Sequence, residues 1–160
     1  MKLKPLLRSI FQINGIDYCA DRVSAVYRKL KDRDYLEKFN NFGFFLRLFN
    51  LENENTRSNL GVDDIEDFLK SNCVHAERAL GNIVAFREDH GECSMDTGEL
   101  ERVAFYDPED NQPMIYLSEN HESVITTLGD FLRGPDRGLY PDFYRLVDSR
   151  VPLKCKSSAY

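Results

Sequence analysis

Residues 88–92, Glu-Asp-His-Gly-Glu, form the densest group of side chains in this chain that suits metal or acid–base chemistry. Carboxylates and imidazoles are ligands for divalent metals, and a hairpin could bring a more distant histidine to them. The motifs H-E-x-x-H and H-x-H and any paired Cys/His spacing are absent. The alternatives are a hydrated acidic turn and a small metal-dependent hydrolase that uses Glu88, Asp89, His90 and His121.

Other catalytic and cofactor motifs fail on specific positions. Residues 107–118 begin like a calcium loop, but Gln112 stands where the sharp-turn glycine belongs and Ser118 where the bidentate acid belongs. A nucleophile motif G-x-S-x-G and the glycine-rich phosphate loops are also absent. The sequence therefore predicts a protein that is not an enzyme and has no cofactor and no bound metal.

Charge is distributed unevenly along the chain. Residues 87–122 carry eleven acids against two bases, Arg87 and Arg102, whereas residues 1–50 carry ten bases against five acids. The overall net charge of -6 disfavours direct nucleic-acid binding, which depends on Lys and Arg. The acidic segment suits a basic protein partner, and a solvated sheet face is the alternative. The candidate partner contacts are Glu88, Asp89, Glu92, Asp96, Glu99, Glu101, Asp107, Glu109 and Asp110.

Helical periodicity is concentrated in the first half of the chain. Apolar residues at helical spacing predict helices over the first dozen residues, over 23–30 and over 62–69. The acids of the third helix cluster near its start, where the helix dipole favours them. The aromatic run 39–50 predicts a fully buried helix or strand.

The second half shows a different pattern. Short runs rich in Val, Ile, Phe and Tyr, bounded by turn residues, predict an antiparallel sheet of about four strands within residues 82–118. These runs are residues 82–86, 93–95, 101–106 and 113–118. A helix is predicted over 121–133, capped by Ser118 or Asn120 and ended by Gly134-Pro135. The fold class is α+β, in one domain of residues 1–160 with a frayed tail from about 154.

Cysteine usage and hydropathy indicate the compartment. The four cysteines are far apart and contain no C-x-x-C pair, which predicts reduced thiols. No apolar run approaches the roughly 18 to 20 residues that a membrane span needs. We therefore expect a cytoplasmic protein that does not enter a membrane.

Five segments within residues 61–133 occur in a characteristic order. The helical segment GVDDIEDFL precedes NIVAF and its acidic turn EDHGE, and VAFYDPED and then LGDFL follow. This order resembles the SUKH superfamily, best known as bacterial immunity proteins against polymorphic toxins. The resemblance implies an antiparallel sheet packed against helices and a stoichiometric inhibitor of a toxin. Many such toxins are basic nucleases, for which an acidic surface would mimic phosphate.

Three hypotheses follow from the sequence. The first is an immunity or inhibitor protein that binds a basic toxin domain through the acidic contacts named above. The second is the metal-dependent hydrolase, and the third is a non-enzymatic adaptor on a SUKH-like scaffold that serves a different partner. The sequence does not specify the oligomeric state.

Overall fold

The helices lie mostly in the first half of the chain. The computed structural model describes residues 3–49, 51, 57–88, 98–109, 111–134 and 138–147. The helices of these residues are α1 (Leu3–Asn14), α2 (Ala20–Lys31), α3 (Arg33–Leu36), α4 (Asn41–Leu48), α5 (Val62–Asn72) and α6 (Leu128–Leu132).

The strands form one antiparallel sheet, in the order β1-β6-β2-β3-β4-β5. Two strands that are distant in sequence, β2 and β6, are neighbours at its centre. The two edge strands are β1 and β5. Among the described strands, β5 pairs only with β4. The strands are β1 (Cys73–His75), β2 (Ile83–Glu88), β3 (Leu100–Tyr106), β4 (Pro113–Leu117), β5 (Ser123–Thr127) and β6 (Leu139–Leu146).

Both faces of the central strands are buried. Successive side chains of a strand point to opposite faces. Ile83 and Ala85 of β2 pack against helices α1 to α5 on one face of the sheet, which we call the helical face. Val84 and Phe86 pack against α6 on the other face. This explains why β2 is a continuous apolar run and does not alternate with polar residues. The larger core lies between the sheet and helices α1 to α5.

Helix α4 connects the helical layer to the sheet. The N-cap Asn40 accepts a hydrogen bond from the Gly43 N–H (2.8 Å), as expected for an asparagine cap. The next residue, Asn41, accepts from the Val103 N–H (2.9 Å) and donates to the Leu117 carbonyl oxygen (3.0 Å). One amide side chain therefore fixes α4 against both β3 and β4.

The predicted fold class and most helices are confirmed. The chain is an α+β protein with an antiparallel sheet. Helices α1, α2 and α5 occupy the segments that periodicity indicated, and the aromatic run 39–50 contains the buried helix α4. The sheet is larger than predicted, since β1, β5 and β6 lie outside residues 82–118. The predicted strand at 93–95 lies outside the described residues.

The predicted helix over 121–133 is wrong in its first half. Residues 123–127 form strand β5, and only Leu128–Leu132 is helical. Val124 and Ile125 fit a helical pattern with Leu128, but the run is rich in β-branched residues and its backbone pairs with β4. The N-cap is Thr127, whose hydroxyl accepts from the Asp130 N–H (3.0 Å), in place of the expected Ser118 or Asn120.

In the described part of the chain, no helix has both the length and the apolar character needed to cross a bilayer.

Replacement of Gly43 by alanine tests the close approach of α4 to the chain after it. A Cβ at this position would overlap the Ser58 carbonyl oxygen, so the backbone must shift. We expect Gly43→Ala to lower the unfolding free energy by about 1 to 3 kcal/mol, the usual cost of overpacking. Urea denaturation measures this loss.

The control is Gly129→Ala in α6, where an added Cβ meets nothing closer than 3.6 Å. This control should be neutral or stabilising, because alanine favours helix over glycine. Equal stability of Gly43→Ala and the wild type would contradict the packing described for α4.

Candidate partner-binding site

A buried arginine organises the end of the sheet where β2 ends and β3 begins. Arg87 is 2% exposed, and alternation along β2 places it on the helical face with Ile83 and Ala85. Its Nη atoms donate to the two Glu66 carboxylate oxygens at 2.7 and 2.9 Å. Its Nε donates to Asp142 Oδ2 (3.0 Å) and Nη2 to the Tyr144 hydroxyl (2.8 Å).

These contacts determine the charge states in the cluster. The hydrogen bonds to Glu66 raise the pKa of Arg87, with smaller support from Tyr144 and Asp142, and outweigh the opposing effect of burial. Burial raises the pKa of Tyr144 to about 12, and its hydrogen bond to Asp142 acts in the same direction. The guanidinium is therefore cationic and the phenol neutral at physiological pH, and two carboxylates compensate one buried charge.

Three of the predicted acidic contacts converge at the same end of the sheet. Ligand oxygens of Glu88, Glu99 and Glu101 all lie within 4.8 Å of one another, and all three side chains are exposed. We call these residues the acidic trio. Like charges at this spacing repel one another, even in water.

An irregularity in the β2–β3 ladder brings the trio together. Phe86 pairs with Arg102 and Arg87 with Leu100, so Glu101 is the extra residue of a β-bulge. Bulges bend a strand and change the direction of a side chain. The Glu88 N–H donates to the Glu99 carbonyl oxygen (2.8 Å), which holds the two strands together beside the trio.

Gly98 is required for the strands to close at this point. A Cβ on this residue would overlap the Glu88 carbonyl oxygen. Its N–H donates to the Tyr140 hydroxyl (3.1 Å), which ties the start of β3 to β6. Backbone packing thus positions the trio independently of its own side chains.

Both bases of the acidic segment are engaged elsewhere. Arg87 is buried with Glu66 and Asp142, and Arg102 forms an ion pair with Glu119 (3.3 Å). Within the described ranges, no Lys or Arg forms an ion pair with the trio. The turn between β4 and β5 adds exposed Glu119 and Glu122 at the same end of the sheet. These two acids were missing from the predicted contacts.

The remaining described contacts lie at the opposite end of the sheet. Asp107 is buried, and its carboxylate accepts from the Ser9 hydroxyl (3.1 Å) and the Glu109 N–H (2.9 Å). Its carboxylate therefore stabilises the turn after β3 and does not face a partner. Glu109 is exposed in this turn, separated from the trio by the length of β3. The predicted contacts Asp89, Glu92, Asp96 and Asp110 lie outside the described residues.

The structure does not bring His121 to the predicted hydrolase site. Strands β3 and β4 lie between β2 and the turn that carries His121, a separation on the order of 10 Å at about 4.8 Å per strand. Its Nδ1 lies 3.1 Å from the Phe39 carbonyl oxygen, a contact that supports the turn. Within the described ranges, it joins no group of metal-ligating side chains with Glu88, and His90 lies outside these ranges.

A cleft with a mostly apolar lining lies beside β1. The Nε2 atom of His75 lies 3.4 Å from Asp142 Oδ2, and its ring stacks on Tyr144 at 4.5 Å. The cleft has a volume of about 490 Å³ and is also lined by Cys73. Burial raises the pKa of the Cys73 thiol to about 12. This thiol is therefore protonated and not an activated nucleophile.

The acidic trio is also the described set that best suits a metal ion. Carboxylate oxygens are ligands for hard cations such as Ca²⁺ and Mg²⁺. Such ions complete their shells with water when the protein supplies few oxygens, so the three exposed side chains could hold part of such a shell. The same carboxylates suit the ammonium and guanidinium groups of another protein.

Comparison with known proteins finds no relative of this chain: no family model, no curated protein and no solved structure matches it. Function is therefore inferred from the residues and their geometry.

Loss of the buried arginine should destabilise the protein strongly. Arg87→Met leaves Glu66 and Asp142 without their cation, and removal of one partner from a buried ion pair typically costs about 3 to 5 kcal/mol. Because the Glu66 side chain is 39% exposed, water offsets part of that cost, and we expect a loss of about 2 to 3 kcal/mol in unfolding free energy, measured by urea denaturation.

The matched control is Arg33→Met, because Arg33 forms an exposed ion pair with Glu37. Surface pairs of this kind contribute about 1 kcal/mol or less. If the two variants lost the same stability, Arg87 would not hold together the end of the sheet where β2 ends and β3 begins.

Alkaline pH should lower the unfolding free energy through the buried thiol of Cys73 and the buried phenol of Tyr144. The pKa of Cys73 rises from 9.0 to about 12, and that of Tyr144 from 10.0 to about 12. Because the folded state holds these protons more tightly than the unfolded state, the stabilisation is complete below pH 9 and is lost as the pH rises toward 12. Urea denaturation across this range should show an unfolding free energy that declines as the pH rises, and the decline should be shallower in Cys73→Val. The same slope in the wild type and the variant would contradict the contribution of Cys73.

Proposed function

We propose that this chain is a non-catalytic immunity or inhibitor protein that binds a basic protein domain through the acidic trio. The observation that carries the proposal is the convergence of three exposed carboxylates within 4.8 Å, with no ion pair to a described base. Solubility requires acids on a surface but does not require them to converge. A partner's Lys and Arg side chains would relieve their mutual repulsion.

The electrostatic setting favours rapid capture of such a partner. Complementary charge accelerates association and disfavours wrong partners. Glu122, in the turn between β4 and β5, extends the negative surface beyond the trio, whereas the neighbouring Glu119 is paired with Arg102. A nuclease groove lined with basic side chains for phosphate is a suitable target, because clustered carboxylates present a similar arrangement of negative charge.

The likeness to the SUKH superfamily supports the toxin as the class of partner. Within the described residues, NIVAF contributes to β2, VAFYDPE runs from β3 into the residues after it, and LGDFL forms α6. We place the protein in the cytoplasm, where the free thiols of Cys19 and Cys73 would stay reduced.

Removal of the trio's charge should abolish protection. The experiment co-expresses the wild type or Glu88→Gln/Glu99→Gln/Glu101→Gln with the protein encoded by the neighbouring gene and scores cell survival. Calorimetry on the purified pair should show affinity weakened by about tenfold or more, because each close charge pair contributes on the order of 1 kcal/mol. The free variant should be at least as stable as the wild type, because three repelling charges are gone.

A matched variant separates local from overall charge. Asp17→Asn/Asp67→Asn/Glu77→Gln makes the same change in net charge at exposed positions away from the trio. It should protect cells and bind like the wild type. The proposal fails if the trio variant binds as tightly as the wild type, or if both variants lose the same affinity.

A further inference from the structure

The outer edge of β5 offers backbone groups to a partner. The Ser118 N–H donates to the Glu122 carbonyl oxygen, and the Leu128 N–H donates to that of Gln112. Hydrogen-bonded pairs alternate along an antiparallel ladder, so Val124 and Thr126 bond to β4. Ser123 and Ile125 therefore turn their N–H and C=O groups outward, and no other described strand pairs with them.

An apolar groove runs beside this edge on the helical face. Its volume is about 610 Å³, within the range of ligand-binding clefts. Ile125 opens into it and is 36% exposed, although large apolar side chains in a sheet are usually covered. The apolar lining consists of Leu3, Tyr27, Leu30, Leu36 and Ile125.

The helical side of the groove is positively charged. Lys31 and Arg33 line it between α2 and α3, and both are exposed. Arg33 also forms an ion pair with Glu37 at 3.0 Å, but exposed pairs of this kind are weak. The ammonium of Lys31 lies 4.2 Å from the centroid of the Tyr27 ring, which holds it at the rim. Glu122 is the acid in the lining, and it lies on the turn and not on the helical wall.

We propose that the β5 edge and this groove bind an extended acidic segment of a protein partner by strand addition. In an added strand, alternate side chains face the helical side. One apolar side chain would enter the groove over Ile125, and an acidic side chain two residues away would face Lys31 and Arg33. Glu122 borders both surfaces, but no member of the acidic trio lines this groove, so the proposal stands independently of the inhibitor function.

Charge argues against a second copy of the chain as the occupant. Pairing β5 with β5 of another molecule would bring Lys31 and Arg33 of both copies close to the same interface. Like charges placed opposite each other disfavour such an interface. An acidic segment instead supplies the missing strand and a counter-charge for Lys31, and it competes with the exposed Glu37 for Arg33.

Two short peptides test the proposal on the full chain. The probe is acetylated and amidated Glu-Thr-Ile-Thr-Glu, which places its glutamates and isoleucine on one face of a strand. The comparison peptide is Lys-Thr-Ile-Thr-Lys. In amide NMR spectra, the acidic peptide should shift the Ser123 and Ile125 resonances and bind about tenfold tighter than the lysine peptide, as two rim charges suggest.

Variants of the protein separate the backbone and charge contributions. Ile125→Pro removes an outward N–H without removing a bond to β4 and should abolish the shifts. Lys31→Glu/Arg33→Glu should weaken binding about tenfold. The matched control Lys70→Glu/Arg145→Glu changes exposed bases near the opposite edge and should bind normally. If Ile125→Pro fails to fold, a probe with an N-methylated isoleucine replaces it, because that peptide cannot complete the ladder.

Several results would overturn the proposal. These are equal affinity for the two peptides, shifts that occur away from β5, or no binding of the acidic peptide. Sedimentation showing a dimer that Ile125→Pro dissociates would identify a second copy as the occupant and would also overturn it.

Discussion

The buried guanidinium of Arg87 is the constraint on which the end of the sheet between β2 and β3 depends. A charge at this depth is costly unless several acceptors surround it, and these come from α5 and β6 as well as from β2 itself. One side chain therefore fixes a helix and two central strands in register. The adjacent residue, Glu88, begins the acidic trio, so the geometry of the exposed site depends on the buried one.

The same ion pairs determine which charges remain available at the surface. Because Glu66 and Asp142 neutralise Arg87, its charge does not compensate the trio, and Arg102 is paired with Glu119. Neither base within residues 87–122 therefore offsets the charge of the trio. At the β5 edge, Lys31 and Arg33 give the opposite sign. The chain thus presents two surfaces that differ in charge and in the kind of contact they offer.

Local patterns predicted the elements that depend on local physics. The amphipathic helices α1, α2 and α5, and the short apolar strands β2, β3 and β4, follow directly from apolar spacing and turn residues. Strand β5 was missed because its apolar spacing fits a helix, and only pairing with β4 decides the outcome. The pairing of β6 with β2 joins segments more than fifty residues apart, as the contact between Arg87 and Asp142 shows.

The acids of the candidate site were predicted individually, but their grouping was not. Bringing Glu101 beside Glu88 and Glu99 requires a bulge that no periodicity indicates, and Asp107 has a carboxylate with buried partners. A usable signal for the buried cluster did exist. An arginine in phase with Ile83 and Ala85 on a buried strand must find carboxylates inside the fold.

In the proposed function, an acidic surface at the end of the sheet where β2 ends and β3 begins captures a basic protein domain. The most direct measurement is the association rate constant between this protein and the product of its neighbouring gene, by stopped-flow fluorescence across a range of salt concentrations. Electrostatic capture predicts a fast rate at low salt that falls steeply as salt screens the charges, and a slower, flatter profile for the trio variant. A rate that is independent of salt and identical in the two proteins would contradict the account.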